Sequence, residues 1–68
     1  MVAYLLLVYT KQASEPVFQK MPDDQLARDF KAFLMNGAPK FGAYAPMSGG
    51  TWVVDFTNVV MVLAEVVS

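Results

Sequence analysis

The sequence contains no cysteine and no histidine. Without cysteine the chain cannot form a disulfide or a thiolate metal site, and without histidine it lacks the commonest ligand of transition metals. The same two absences remove the nucleophile of cysteine enzymes and the imidazole that most often moves protons in active sites. We therefore expect no metal, no cofactor and no catalytic residue, and a protein that is not an enzyme.

Charged residues are also scarce. They make up 16% of the 68 residues and sum to a formal net charge of −1 at pH 7, whereas hydrophobic residues make up 56%. Typical globular domains are about 25% charged and about 45–50% apolar. A chain with this charge balance has no basic patch of the kind that binds nucleic acid. We expect no nucleic-acid partner and more apolar surface than one small core can bury.

Long hydrophobic runs are missing as well. A membrane-spanning helix needs about 20 consecutive, mostly apolar residues, whereas the longest clean run covers residues 2–9, and Glu65 interrupts the run at 59–67. The first charge, Lys11, follows the N-terminal run, which is not the pattern of a secretory leader. Together with the lack of cysteine, these features favour a cytoplasmic protein without a membrane segment.

The length of the chain predicts a single domain over residues 1–68. A domain this small hides only about 60% of the surface that its unfolded chain exposes, so disulfides, metal or oligomerisation usually add stability. The composition leaves oligomerisation as the available source. We therefore expect a homo-oligomer.

One segment, residues 23–36, has the apolar spacing of an amphipathic helix. Its apolar residues recur at i, i+4, i+7 and i+8, and they are Leu26, Phe30, Phe33 and Leu34. Asp23 and Asp24 stand where carboxylates cap a helix N-terminus, and Asp24 can pair with Arg28 one turn later. Gly37 stands where a glycine commonly ends a helix.

Short apolar segments rich in β-branched and aromatic residues predict strands before and after the helix. They cover residues 2–10, 17–21, 41–45, 51–56 and 59–67. Pro16 and Pro22 confine the second segment to a sheet edge or to an extended connection, and the first is predicted to be central. The expected fold is α+β, a small antiparallel sheet of about three to five strands with the helix packed on one face. Its order is strand, possible strand, helix, two strands and a possible last strand.

The first and last strands are apolar on both faces. In the first strand, one face holds Val2, Tyr4, Leu6 and Val8 and the other holds Ala3, Leu5, Leu7 and Tyr9. In the last strand, one face holds Val59, Met61 and Leu63 and the other holds Val60, Val62, Ala64 and Val66. Such strands need cover on both faces, and one helix covers only one. A second copy of the chain, or closure of the sheet into a small barrel, would cover the other.

The hairpin between residues 41–45 and 51–56 contains a candidate ligand site. Its members combine two aromatic rings, a cation and a glycine loop, and they are Lys40, Tyr44, Ser48, Gly49, Gly50 and Trp52. Such a set can hold a planar anionic ligand such as a nucleotide. The loop lacks the spacing and the lysine of a P-loop, so a hairpin turn is the simpler interpretation of the glycines. Core or interface packing is the simpler interpretation of Trp52.

Two carboxylates interrupt apolar strands. Asp55 could act as an isolated acid or a ligand anchor, but an aspartate next to Thr57 and Asn58 more often bonds the backbone of a turn. Glu65 is typical of a residue that keeps an edge strand from aggregating.

Two functions fit these features. The first is a small, non-catalytic, homo-oligomeric binding protein, an inhibitor or adaptor for a partner protein, of the size that phages and mobile elements encode. The alternative is a protein that sequesters a small anionic, nucleotide-like ligand between subunits near residues 44–52. A cavity between subunits would favour the alternative, and a closed dry interface would favour the first.

Overall fold

A computed structural model of the chain describes residues 2–67, which form five strands, one α-helix and one 3-10 turn. In chain order these are β1 (Tyr4–Thr10), β2 (Val17–Met21), α1 (Gln25–Asn36), β3 (Phe41–Tyr44), β4 (Trp52–Asp55), the turn η1 (Phe56–Asn58) and β5 (Val59–Val66). The predicted α+β class and the predicted order of elements are confirmed.

The strands form two antiparallel sheets. β1 is the central strand of a three-stranded sheet in the order β2-β1-β5, and β3 pairs with β4 in a separate hairpin. The central place of β1 and the edge place of β2 agree with the sequence prediction. β2 tolerates a proline at each end because it is an edge strand. An inner strand would need the backbone N–H that proline lacks for pairing on both sides.

The helix begins at Gln25, two residues later than predicted. Asp23 and Asp24 lie before its first turn and not within it. The Asp23 carboxylate accepts a hydrogen bond from the Gln25 backbone N–H at 3.0 Å. Asp24, at the N-cap position, makes no side-chain cap bond and instead forms the predicted ion pair with Arg28, with 3.0 Å between Oδ1 and Nε.

The C-terminus of α1 ends as predicted, but the apolar stripe is narrower. Gly37 adopts the left-handed conformation with φ 78°, and its N–H donates to the Phe33 carbonyl at 2.8 Å. Leu26 and Phe30 are buried and Phe33 packs against them, whereas Leu34 is 66% exposed. The prediction for Leu34 is wrong because it lies about 100° around the helix from Phe33, beyond the surface that α1 buries.

The core lies between one face of the three-stranded sheet, called here the inner face, and a layer formed by α1 and the β3-β4 hairpin. Its buried residues are Leu6, Val8, Met21, Leu26, Phe30, Val54, Phe56 and Val59. The short turn η1 places Phe56 at the centre, with its ring centroid 5.7 Å from that of Phe30 and 6.1 Å from that of Phe33. Aromatic pairs at these separations stabilise the fold by more than the burial of their apolar area alone.

A bulge near the start of β5 reverses which of its residues face the core. Tyr9 pairs with Met61 and Thr10 pairs with Val59, so Val60 is left without a partner in β1. Val59 is therefore buried in the core, whereas Met61 lies on the opposite face of the sheet. The prediction that Val59 and Met61 share a face is wrong, because one extra residue shifts the alternation of side chains along a strand.

Candidate functional site

The hairpin brings the two predicted aromatic residues together. Tyr44 in β3 is directly paired with Trp52 in β4, and both side chains pack, half-buried, against the core. Directly paired residues of antiparallel strands point to the same side of a sheet. Both rings therefore help the hairpin to cover the inner face, which is the packing interpretation of Trp52.

The hydroxyl of Tyr44 connects the hairpin to the helix. It donates a hydrogen bond to Asp29 Oδ2 at 2.6 Å, while Gln25 Nε2 donates to the other carboxylate oxygen at 2.7 Å. Burial, followed by the hydrogen bond and the negative charge of Asp29, raises the pKa of Tyr44 above that of an ordinary tyrosine. The ring reaches Asp29 by lying across Gly42, where a Cβ would collide with the hydroxyl. The role of Asp29 in this contact was not predicted from the sequence. Its i, i+4 spacing from Gln25 is the sequence feature that could have indicated it.

The glycine loop is wider than a two-residue hairpin turn. Residues 45–51 connect the two strands, and the Gly49 N–H donates to the Pro46 carbonyl at 3.0 Å, which closes a turn ahead of the glycine pair. Gly49 and Gly50 have φ values of 101° and 78°. Both glycines therefore have the positive φ that favours glycine, in keeping with the hairpin-turn interpretation. The connection is longer than a two-residue turn, and its extra residues reach another strand.

That other strand is β2. The Met47 N–H donates to the Lys20 carbonyl at 2.9 Å, and the Ser48 hydroxyl lies 3.4 Å from Gln19 Oε1. These bonds use part of the polar groups that were predicted to hold an anion. Lys40, at the other end of the hairpin, has an exposed side chain and accepts a bond from the Phe56 N–H through its carbonyl at 2.9 Å. The loop and Lys40 thus act here as connections between elements.

A cleft of about 190 Å³ opens beside Trp52, on the inner face of the three-stranded sheet. It is lined mainly by valines, and its lining residues are Val8, Thr10, Val17, Trp52, Val53, Val54, Asp55, Asn58 and Val59. Trp52 is the member of the predicted site that lines it. Because successive side chains of a strand point to opposite faces, four consecutive β4 residues can line one cleft only along the edge of the strand. The cleft therefore lies beside the edge of β4 that faces away from β3.

Asp55 gives this cleft its charge. Its Oδ1 atom accepts bonds from the Thr57 hydroxyl at 2.6 Å and from the Thr57 backbone N–H at 3.0 Å. These bonds, with a smaller contribution from Lys11, lower the pKa of Asp55, so the group is ionised at neutral pH. Asp55 thus bonds the backbone of a turn, as the simpler prediction states. Its negative charge makes the cleft better suited to an apolar or cationic group than to an anion.

The second surface of interest is the opposite face of the three-stranded sheet, which we call the outer sheet face. Strand pairing places eight side chains on it: Leu5, Leu7, Tyr9, Phe18, Lys20, Met61, Leu63 and Glu65. Within residues 2–67, both α1 and the hairpin pack on the inner face and leave this one uncovered. Phe18 is 63% exposed, Met61 43% and Leu63 40%. Six of the eight side chains are apolar or aromatic, so this face is a continuous apolar surface.

Two further observations concern membranes and metals. In the part of the chain that the structure describes, no helix combines the length and apolarity needed to cross a membrane. Acidic side chains among residues 2–67 do not gather into a group of three that could hold a metal ion.

Comparison with known proteins found no match to this chain among protein-family models, curated proteins or solved structures. The chain is a small α+β protein with two distinct surfaces, the cleft beside Trp52 and the outer sheet face. Its function has to be inferred from the chemistry of these two surfaces.

Proposed function

We propose that this chain is a small, non-catalytic binding protein that acts as a homo-oligomer, and that its copies meet through the outer sheet face. The supporting observation is the uncovered state of this face, which presents Phe18, Met61 and Leu63 to solvent. An antiparallel sheet with one face in water normally alternates apolar and polar residues. β1 departs from that pattern, because its outward residues Leu5 and Leu7 are as apolar as its inward ones.

The size of the face indicates how tightly the copies would bind. Three strands spaced about 4.8 Å apart and about seven residues long make a surface of roughly 300 Å². Burying it on two copies at about 25 cal/mol per Å² would yield about 15 kcal/mol, from which association subtracts an estimated 4–15 kcal/mol. What remains is between about 0 and about 11 kcal/mol, and the two faces together bury only about 600 Å², so we expect weak association, with a dissociation constant that is micromolar or higher.

The proposal is tested by a matched pair of phenylalanine variants. Phe18, which is 63% exposed, lies on the outer sheet face, while Phe41, which is 70% exposed, lies on the hairpin, opposite Asp55. We expect Phe18→Lys to abolish association and Phe41→Lys to leave it unchanged, as measured by sedimentation equilibrium from about 1 to about 300 µM, a range that detects weak, micromolar association. Far-UV circular dichroism of both variants controls for folding. A wild-type chain that remains a 7.5 kDa species throughout would contradict the proposal.

We further propose that this binding protein is an inhibitor or adaptor for a partner protein. The surface outside the outer sheet face supports this role. Association through the outer sheet face would leave α1 and the hairpin available for another protein, and both carry exposed apolar side chains such as Met35 and Val53. The lack of cysteine supports a cytoplasmic site of action as part of the same proposal.

The alternative function is sequestration of a small anionic, nucleotide-like ligand between subunits near residues 44–52. The cleft beside Trp52, which is formed within one chain, supports sequestration, while the carboxylate of Asp55 disfavours an anionic ligand there. Because Trp52 is the single tryptophan of the chain, its fluorescence reports on this cleft directly. A titration should compare nucleotides and acidic metabolites with small apolar and cationic compounds. A saturable change with either set favours sequestration, and the carboxylate of Asp55 predicts that the second set binds better. A flat response to both sets favours the protein-binding function.

A further inference from the structure

The outer sheet face carries its charges at one end. In the row of paired residues that crosses the sheet at Leu5, Lys20 on β2 lies to one side and Glu65 on β5 lies to the other. Two strand spacings of about 4.8 Å place their backbones about 10 Å apart. Within residues 2–67, neither side chain forms an ion pair, and both are exposed.

The other rows of the face are apolar. Phe18 and Leu63 lie on either side of Leu7 in the next row, and Tyr9 pairs with Met61 in the row beyond. The face therefore has an apolar centre and two charged corners at the Leu5 end. The cation Lys20 is at the β2 corner, and the anion Glu65 is at the β5 corner. A surface with this pattern is complementary to itself under one particular rotation.

We infer that two copies pack outer sheet face to outer sheet face about a two-fold axis that runs parallel to the strands. This inference rests on the proposed function. Such a rotation keeps each residue at its height along the strands and reverses the lateral order, so β2 of one copy faces β5 of the other. Lys20 then faces the partner's Glu65, and the symmetry generates this contact twice. Phe18 faces the partner's Leu63, and Leu7 packs against the partner's Leu7 at the centre.

Other arrangements leave the charges unmatched. A two-fold axis perpendicular to the strands would place Lys20 and Glu65 over the partner's apolar Tyr9 end, where burying them without partners is unfavourable. Pairing of two β5 edges into one continuous sheet would leave the apolar centre in water. Aligned packing of sheets is also the usual geometry when two sheets meet face to face. The charges at the rim would select this orientation more than they would add affinity.

The experiment uses two single charge reversals, Lys20→Glu and Glu65→Lys. In the dimer of either variant alone, both corner contacts become like-charge contacts, and we expect association to weaken about tenfold in low salt. In a mixed dimer, the introduced glutamate of one subunit faces the introduced lysine of the other, and the native Glu65 faces the native Lys20. The mixture should therefore recover the wild-type dissociation constant and form heterodimers well above the statistical half.

Native mass spectrometry with one variant isotopically labelled measures the heterodimer fraction, and sedimentation measures the affinity. Mixing separates contacts between copies from any contact between Lys20 and Glu65 within one chain, which a double variant cannot do. The selectivity should decrease at high salt, because exposed charges are screened.

The outcomes distinguish this inference from the proposed function. If wild-type chains associate and Phe18→Lys prevents it, but the mixture forms only a statistical heterodimer fraction, the outer sheet face is the interface and the inferred axis is wrong. If wild-type chains do not associate at all, both proposals are overturned. Selective heterodimers together with weakened homodimers support the axis.

Discussion

The two faces of the β2-β1-β5 sheet are built from similar residues but have different surroundings. On the inner face, Leu6 and Val8 of β1 are buried beneath the helix and the hairpin. On the outer face, Leu5 and Leu7 of the same strand lie between exposed side chains of the neighbouring strands. Apolar character alone therefore does not decide which face of a small sheet forms the core. The helix and the hairpin can cover only one side, and within residues 2–67 the other side remains uncovered.

The largest expected effect on stability comes from truncating a phenylalanine on the inner side of the sheet, and a phenylalanine on the outer face serves for comparison. Phe56→Ala removes a ring that is 0% exposed, so we expect a loss of about 3–5 kcal/mol in the free energy of unfolding, from lost burial and the cavity left behind. For a small domain this loss approaches the whole stability. Phe18→Ala, on the outer sheet face, should change the stability of the monomer by less than about 0.5 kcal/mol.

Urea denaturation at low protein concentration, where association does not contribute, measures both values. Equal losses for the two variants would mean that the outer sheet face is covered within the monomer, and the contrast between the faces would disappear.

A smaller effect is expected where the hairpin is attached to the helix. Tyr44→Phe removes the bond to Asp29, and because the site is only partly buried we expect a loss of about 1 kcal/mol at neutral pH. The pKa of Tyr44 is raised in the folded chain, so folded molecules hold this proton more tightly than unfolded ones. The stabilisation should be fully present below the ordinary tyrosine pKa of about 10 and should be lost progressively above it.

Denaturation of wild type and Tyr44→Phe at pH 7 and at pH 11 separates this contribution from the other groups that titrate in alkali. The difference between the two proteins should shrink at the higher pH. A constant difference would show that the hydroxyl acts through packing and not through its bond to Asp29.

The smallest effect is expected in the loop that holds the hairpin against β2. At Gly50 a Cβ would meet no neighbouring atom, but φ is 78°, so Gly50→Ala should cost about 1 kcal/mol from backbone strain alone. Gly50→Asn should cost less, since asparagine tolerates this conformation better. Thermal melts of the two variants show which of them is the more stable. If alanine and asparagine are equally tolerated, the loop relaxes and its glycine is not required for the turn.

The order of elements and most helix signals could be predicted, because they depend on neighbours in the chain. The Asp24–Arg28 pair and the glycine cap at Gly37 are contacts over a few residues, and the spacing of residues in a helix determines them directly. The apolar segments likewise predicted where the strands lie. Their faces were predicted correctly in β1, which is regular, but not at Val59, where the bulge depends on how β5 meets β1.

The contacts of the candidate site residues could be predicted only in part, because those residues were grouped by their distance along the chain. Tyr44 and Trp52 are indeed paired, but the hydroxyl of Tyr44 is bonded to Asp29 on the helix, fifteen residues away. Trp52 shares its cleft with residues of β1, β2 and β5, which no local pattern connects to it. Side chains that meet through the core belong to segments distant in sequence, so their meeting could not be derived from spacing.

The sequence by itself determined that the chain forms short strands and one amphipathic helix, and that it has more apolar surface than these elements can bury. Both properties follow from residue type and local spacing, which do not depend on the rest of the fold. Only the tertiary structure decided which face of the sheet is covered and where the remaining charges lie. Lys20 and Glu65 are 45 residues apart in the chain and share one row only because both of their strands pair with β1 at Leu5. That alignment is set by strand register, which the packing of the whole inner face selects.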